Sequence, residues 1–141
     1  MSGPPVEAPV YEGGCFCGSV RYRATKPPLR VAHCHCRNCR GTSGAPFLTW
    51  VEFPAEALSI TEGEPVIFSS GPGVARGFCG RCGTQLTYRS DAAAGIHEVT
   101  ACSLDEPSSV TPSDHVWHDR KVSWIHLDDG LPVIPLGRPS K

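Results

Sequence analysis

Seven of the eight cysteines in this chain fall into three tight groups. Cys15 and Cys17 form a C-x-C, Cys34, Cys36 and Cys39 a C-x-C-x-x-C, and Cys79 and Cys82 a C-x-x-C. Four thiolates close a tetrahedral structural zinc site, whereas a catalytic site keeps three protein ligands and leaves a position for water or substrate. The two-plus-three-plus-two grouping therefore predicts one zinc that holds the fold and a second that does chemistry.

Cys79-Gly80-Arg81-Cys82 followed by Gly83 reads as a zinc knuckle, in which a tight turn brings both sulfurs to one ion and the glycine takes a positive φ. Redox pairs share this spacing but sit at a helix start beside a βαβ pattern, which is not visible here. On a strand, residues i and i+2 share a face, so Cys15 and Cys17 can point at one ion. Joined to Cys79 and Cys82 they give a four-cysteine site that clips the start of the domain to its middle. Closing so long a loop contributes to folding.

Cys34, Cys36 and Cys39 place three thiolates within six residues and have no fourth cysteine nearby. The open position on their metal is left to water, His33, His35 or an incoming thiolate. A thiol bound there would be deprotonated, and Arg37 and Arg40 would pair with its carboxylates. Cys102, in HEVTACSL, is expected to be a buried, unreactive thiol. His115 and His118 lie in a tryptophan-rich segment, either as a general base and pocket wall or as structural histidines.

The elements that must position these residues are short strands. Fifteen glycines, 14 prolines and 19% charged residues favour strands and turns over long helices. Alternation after Gly18 predicts a strand through Val20 and Tyr22, and a second runs from Leu29 to His33 into the triplet, with one helical turn after Cys36. Further strands are expected at Ala45 to Phe53, ALSI, PVIFSS, VARGFC and TQLTYRS (a hairpin bent at the knuckle), and HEVTACSL. Residues 1–12 read as a loose leader, 13–135 as one all-β domain, and the tail from 136, like the stretch after Pro132, as frayed.

A net charge of −1 gives no reason to expect nucleic acid as a partner. There is no apolar run able to span a membrane and no secretory signal, so a reducing cytoplasm is expected, where clustered thiols are metal ligands rather than disulfides.

The strings CFCGSVRY, HCHCRNCRGTSGAPF, GEPVIFSSGPGVARGFCGRCGTQLTY and DHVWHDRKVSWIHLDDGLP occur in this order. Together, from about Gly14 to Pro135, they resemble the glutathione-dependent formaldehyde-activating enzyme family. The resemblance implies a β-tent fold of short antiparallel strands with two zincs, one structural on Cys15, Cys17, Cys79 and Cys82, one catalytic on Cys34, Cys36 and Cys39. It also implies carbon–sulfur lyase chemistry on thiol–aldehyde adducts such as S-hydroxymethylglutathione, with glutathione and formaldehyde as partners. Proton transfer would fall to carboxylates and histidines between Pro112 and Leu131. Two alternatives stay open at this point: a non-catalytic zinc protein that binds a thiol, and a zinc-stabilised interaction module.

Overall fold

The computed structural model describes residues 10–137. Ten short strands build two sheets. β1 (Tyr11–Gly14), β2 (Arg21–Ala24) and β5 (Leu58–Glu62) form a three-stranded sheet in the order β1-β2-β5. The larger sheet contains β3 (Arg30–Cys34), β4 (Leu48–Pro54), β6 (Val66–Gly71), β7 (Val74–Phe78), β8 (Gln85–Ser90), β9 (Ile96–Thr100) and β10 (Asp114–Val116). Its order is β10-β3-β4-β9-β8-β7-β6, antiparallel throughout except for the parallel β10–β3 pair. The single α-helix among the described residues, α1 (Arg37–Ser43), follows the triplet's first two cysteines. The all-β reading of the sequence matches this architecture.

Period-two alternation gives the large sheet two different faces. Val31, Val51 and Val99 stand side by side on β3, β4 and β9 and, with Phe53 and Leu86, pack against Tyr22, Ala24 and Leu58 of the small sheet. Tyr22, Phe53, Leu86, Val51 and Val99 are fully buried. Each such side chain contributes about 1.5–3 kcal/mol relative to exposure, so this layer holds the sheets together. The opposite face carries Arg30, Ala32 and Cys34 on β3 and Trp50 and Glu52 on β4, because these residues fall on the other parity.

Several expectations shift. The leader of residues 1–12 lies mostly outside the described residues, and its last two, Tyr11 and Glu12, are in β1, paired with Ala24 and Arg23. The strand expected from Ala45 begins only at Leu48, after the Gly44 helix cap at φ 72° and an irregular turn. The strand read through HEVTACSL ends at Thr100, and Ala101–Ser103 turn as a 3-10 helix. The stretch after Pro132 does not fray through residue 137. His115 N–H donates to Pro132 O (3.0 Å), Ile134 N–H to His115 O (2.8 Å) and Trp117 N–H to Leu136 O (3.1 Å). A chain without strand-like alternation can still dock when a neighbouring strand, here β10, leaves its own backbone groups to be satisfied.

Candidate active site

The outer cysteine pairs meet between the sheets. Cys15 and Cys17 sit in the turn leaving β1, and Cys79 and Cys82 in the hairpin joining β7 to β8. All four sulfurs lie within 4.8 Å of one another, with Cys15–Cys17 at 3.6 Å and Cys17–Cys79 at 3.8 Å. A zinc–sulfur bond of about 2.3 Å puts the thiolates of a tetrahedral site about 3.8 Å apart, so the spacing fits a four-thiolate ion. Backbone N–H groups supply the surrounding donors: Val20 to Cys15 at 3.2 Å, and Arg81 and Cys82 to Cys79 at 3.4 Å each. Against burial, which raises it, the Val20 amide and neighbouring groups bring the Cys15 thiol down to about 7. Hydrogen bonds from the Thr84 side chain and backbone, foremost, bring Cys82 down to about 5. Gly83 takes φ 82° and returns its N–H to Cys79 O at 2.8 Å, the conformation the knuckle requires.

The triplet forms where β3 runs into α1. Cys34 ends the strand, Cys36 caps the helix by accepting from the Cys39 N–H at 3.2 Å, and Cys39 is buried in its first turn. Their sulfurs also lie within 4.8 Å of one another, Cys34 to Cys39 at 3.5 Å. Two side chains that the sequence reading did not select turn donors toward Cys39. The Trp50 indole N–H donates at 3.4 Å, and the buried Arg76 guanidinium stands at 3.8 and 3.9 Å. Arg76 is held by Ser70 Oγ at 2.9 Å and stacks over the Tyr88 ring, 4.9 Å from its centroid. Hydrogen bonds from Cys34 and then Cys39 pull the Cys36 thiol far down, with the Cys39 amide and Arg76 adding to the effect. The Cys34 thiol is raised, first by its bond to Cys36. Three soft thiolates with one side open to a cavity are a donor set suited to zinc.

That cavity, about 220 Å³, is lined by the triplet together with Arg30, Trp50, Glu52, Arg76, Tyr88, Glu98, Trp117 and Gly137. Strand pairing creates a single row of neighbours on this face. Arg30 pairs with Glu52, Glu52 with Glu98, Glu98 with Tyr88, and Tyr88 with Arg76. Arg30 chelates Asp114 at 2.8 and 2.9 Å and keeps its Nε 3.9 Å from Glu52. Burial, and then the charge of Glu52 beside it, pushes the Glu98 carboxyl up to about 8. The site therefore holds a proton-bearing carboxyl at neutral pH in a cavity lined by thiols. Parity was the sequence signal for this row: Arg30, Ala32 and Cys34 alternate, and Glu52, Arg76 and Glu98 are charges embedded in strand-like runs.

The structure places the other candidates elsewhere. Arg37 is exposed on α1, and Arg40 turns its Nε to the His35 carbonyl at 3.3 Å, so neither lines the cavity, whose guanidinium groups are Arg30 and Arg76. His33 and His35 point away from the sulfurs: His33 Nδ1 meets Thr49 Oγ1 at 2.7 Å, and His35 Nε2 meets His115 Nδ1 at 2.9 Å. Burial, followed by the neighbouring rings, lowers His35 to about 4 and keeps it neutral. His118 sits edge-on to both His35 and His115. Cys102, expected to be buried, is exposed, because the chain leaves β9 into the 3-10 turn before reaching it.

Fold and site together define an all-β protein with two cysteine clusters able to hold metal ions. A family model described as glutathione-dependent formaldehyde-activating enzyme matches residues 10–120, and the chain belongs to that family. A Halomonas elongata protein whose name carries the same formaldehyde-activating description is 29% identical over 128 residues, 83% of this chain and 80% of that protein. A Schizosaccharomyces pombe protein named as an uncharacterized lyase is 32% identical over 81 residues, 57% of this chain and 58% of that protein. The crystal structure of a Rhodobacter sphaeroides protein shares the fold, with a TM-score of 0.59 at 19% identity, covering 86% of this chain and 98% of that one.

Proposed function

We propose that this chain is a zinc-dependent enzyme of the carbon–sulfur lyase type, acting on adducts of a thiol such as glutathione with formaldehyde or a related aldehyde. The observation that carries this reading is the convergence of Cys34, Cys36 and Cys39 on a cavity that Glu98 also lines. Family membership and the lyase name of one relative support it. In this reading Cys15, Cys17, Cys79 and Cys82 hold a structural zinc, and the triplet holds the catalytic one.

A zinc ion on the triplet would supply a Lewis acid that favours the thiolate form of a bound thiol. The protein's own groups do the rest. Arg76 and the Trp50 N–H offset negative charge that builds at the sulfurs, in a setting dry enough for such donors to count. In the synthetic direction the thiolate sulfur attacks the aldehyde carbon, the C=O π electrons move to oxygen, and Glu98 gives its proton to that oxygen. In cleavage Glu98 takes the hydroxyl proton back, the C=O bond re-forms, and the C–S electron pair leaves with sulfur. Asp114 fixes the Arg30 guanidinium, whose Nε stands 3.9 Å from Glu52 beside the cavity. The cytoplasm, where a reduced thiol is abundant, is the compartment this chemistry implies.

Among the described residues no helix is long and apolar enough to cross a membrane. The decisive experiment measures metal content with and without glutathione, alongside formaldehyde–glutathione exchange by NMR. Two zincs per chain and exchange faster than the spontaneous rate, lost in Cys36→Ser, support the proposal. Glutathione binding by calorimetry with no acceleration of exchange would reduce the protein to a thiol binder.

A further inference from the structure

His35 lies between two cysteines of the triplet and is fully buried, yet its ring takes no part in the sulfur cluster. Where β3 runs out, successive side chains point to opposite sides. Cys34 and Cys36 thus face the cavity, and the imidazole of His35 faces away from it. On that far side His35 Nε2 meets His115 Nδ1 at 2.9 Å, and His115 Nε2 meets Asp129 Oδ2 at 2.7 Å.

The direction of this chain follows from the acceptor at its end. A carboxylate can only accept, so His115 donates from Nε2. In a neutral ring Nδ1 then accepts, and His35 must donate from its own Nε2. His35 Nδ1 is left buried without a hydrogen-bond partner, so the bond to His115 is the ring's one polar tether among the described residues. The backbone reinforces it: His35 N–H donates to Val116 O at 3.1 Å, and the residues after Pro132 clamp His115 from its other edge. Asp129 is itself steadied by the Leu131 N–H at 3.1 Å.

We propose that Asp129 and His115 are positioning residues for the triplet: they hold His35 from behind and thereby set the peptide that carries Cys34 and Cys36. The inference rests on the reading that the triplet binds a metal. The peptide between Cys34 and Cys36 runs on from β3 in extended form, and its orientation sets where the two sulfurs point. The one side chain on that peptide, His35, is where such a hold can be applied without obstructing the cavity. The competing arrangement is an ion on His33, His115 and Asp129, which bring one ligand atom each within 4.8 Å of one another.

The test loads the full chain with Co2+, whose visible bands report ligand type and geometry. Wild type should take two equivalents, one with a four-thiolate and one with a three-thiolate signature. Asp129→Ala and His115→Gln should leave the first untouched, release the second to a chelator about tenfold or more faster, and shift its ligand-field bands. Asp129→Asn, whose amide oxygen still accepts from His115, should restore both. One equivalent in wild type would remove the three-thiolate reading and this proposal with it. Two equivalents with unchanged release and bands in both variants would overturn this proposal alone. A third equivalent lost in Asp129→Ala would overturn it in favour of a separate metal site. Should His115→Gln fail to fold, Asp129→Ala decides, since that carboxylate is partly exposed, with 36% of its side chain accessible.

Discussion

Glu98 stands directly across the strand pair from Glu52, and both carboxyl groups line the cavity that the three central cysteines close. Two carboxylates so placed in partly dry surroundings resist double ionisation, and burial and then the Glu52 charge favour the protonated form of Glu98. The pair is thus a device for storing one proton beside a thiol site.

The stability consequence has a definite sign. Glu98 in the folded chain titrates at about 8, above its ordinary value of 4.5, so the folded state binds more protons than the unfolded one between those values. Stability therefore falls as pH rises from about 4.5 to about 8, by on the order of 5 kcal/mol from this group. Glu98→Gln should flatten that part of the profile, read as the difference in denaturant midpoints between wild type and variant from pH 5 to 8.5. An identical slope in both proteins would contradict the assignment.

The same variant tests the chemistry. Without a transferable proton, the exchange rate should drop by roughly 10²–10⁴-fold, and the alkaline limb near pH 8 should vanish from the pH–rate profile. Glutathione affinity should change far less than turnover.

Arg76 offers a separate handle. Arg76→Gln keeps the hydrogen bond to Ser70 within reach but removes the cation beside Cys39. A charged hydrogen bond of this kind is worth about 1.5–3 kcal/mol, so the apparent titration of the triplet thiols, followed by thiolate absorbance in metal-free protein, should move upward by about 1–2 pH units. Arg76→Lys should recover only part of the effect, since an ammonium cannot reach Ser70 and Cys39 with the same planar fork.

The two cysteine clusters should separate fold from activity. In the proposed reading Cys79→Ser removes a ligand of the structural zinc, and the protein should lose cooperative unfolding or fall sharply in Tm. Cys36→Ser should retain a near-native melting curve while losing activity and one metal. Equal destabilisation by both variants would show that the triplet is structural as well.

Exposed Cys102 should react with iodoacetamide in the metal-loaded chain while the clustered thiols are protected. Mass spectrometry should find one adduct, and the modified protein should keep its activity.

Much of this was legible in the chain itself. Cysteine spacing alone grouped seven thiols as two, three and two, and the alternation around Val20, Tyr22 and the Ala45–Phe53 run called for strands. Gly83 after the knuckle marked the positive φ that the turn adopts. These are local properties, set by backbone sterics and side-chain parity within a few residues. Pairing partners are not local. Glu98 meets Glu52, and Arg76 meets Tyr88, because of strand order and register in a seven-stranded sheet, and no window of sequence contains that order. The same holds for the arginines: Arg37 and Arg40 are near the triplet in sequence, but the guanidinium groups that line the cavity are the more distant Arg30 and Arg76. His35 makes the point most sharply. Its place between Cys34 and Cys36 suggested a ligand, but the direction of its ring was decided by β10 and Asp129, some 80 and 94 residues further along the chain. Sequence determined which residue types and spacings were available for metal and strand. Tertiary packing decided which of them face the cavity, because only the assembled sheet defines its two sides.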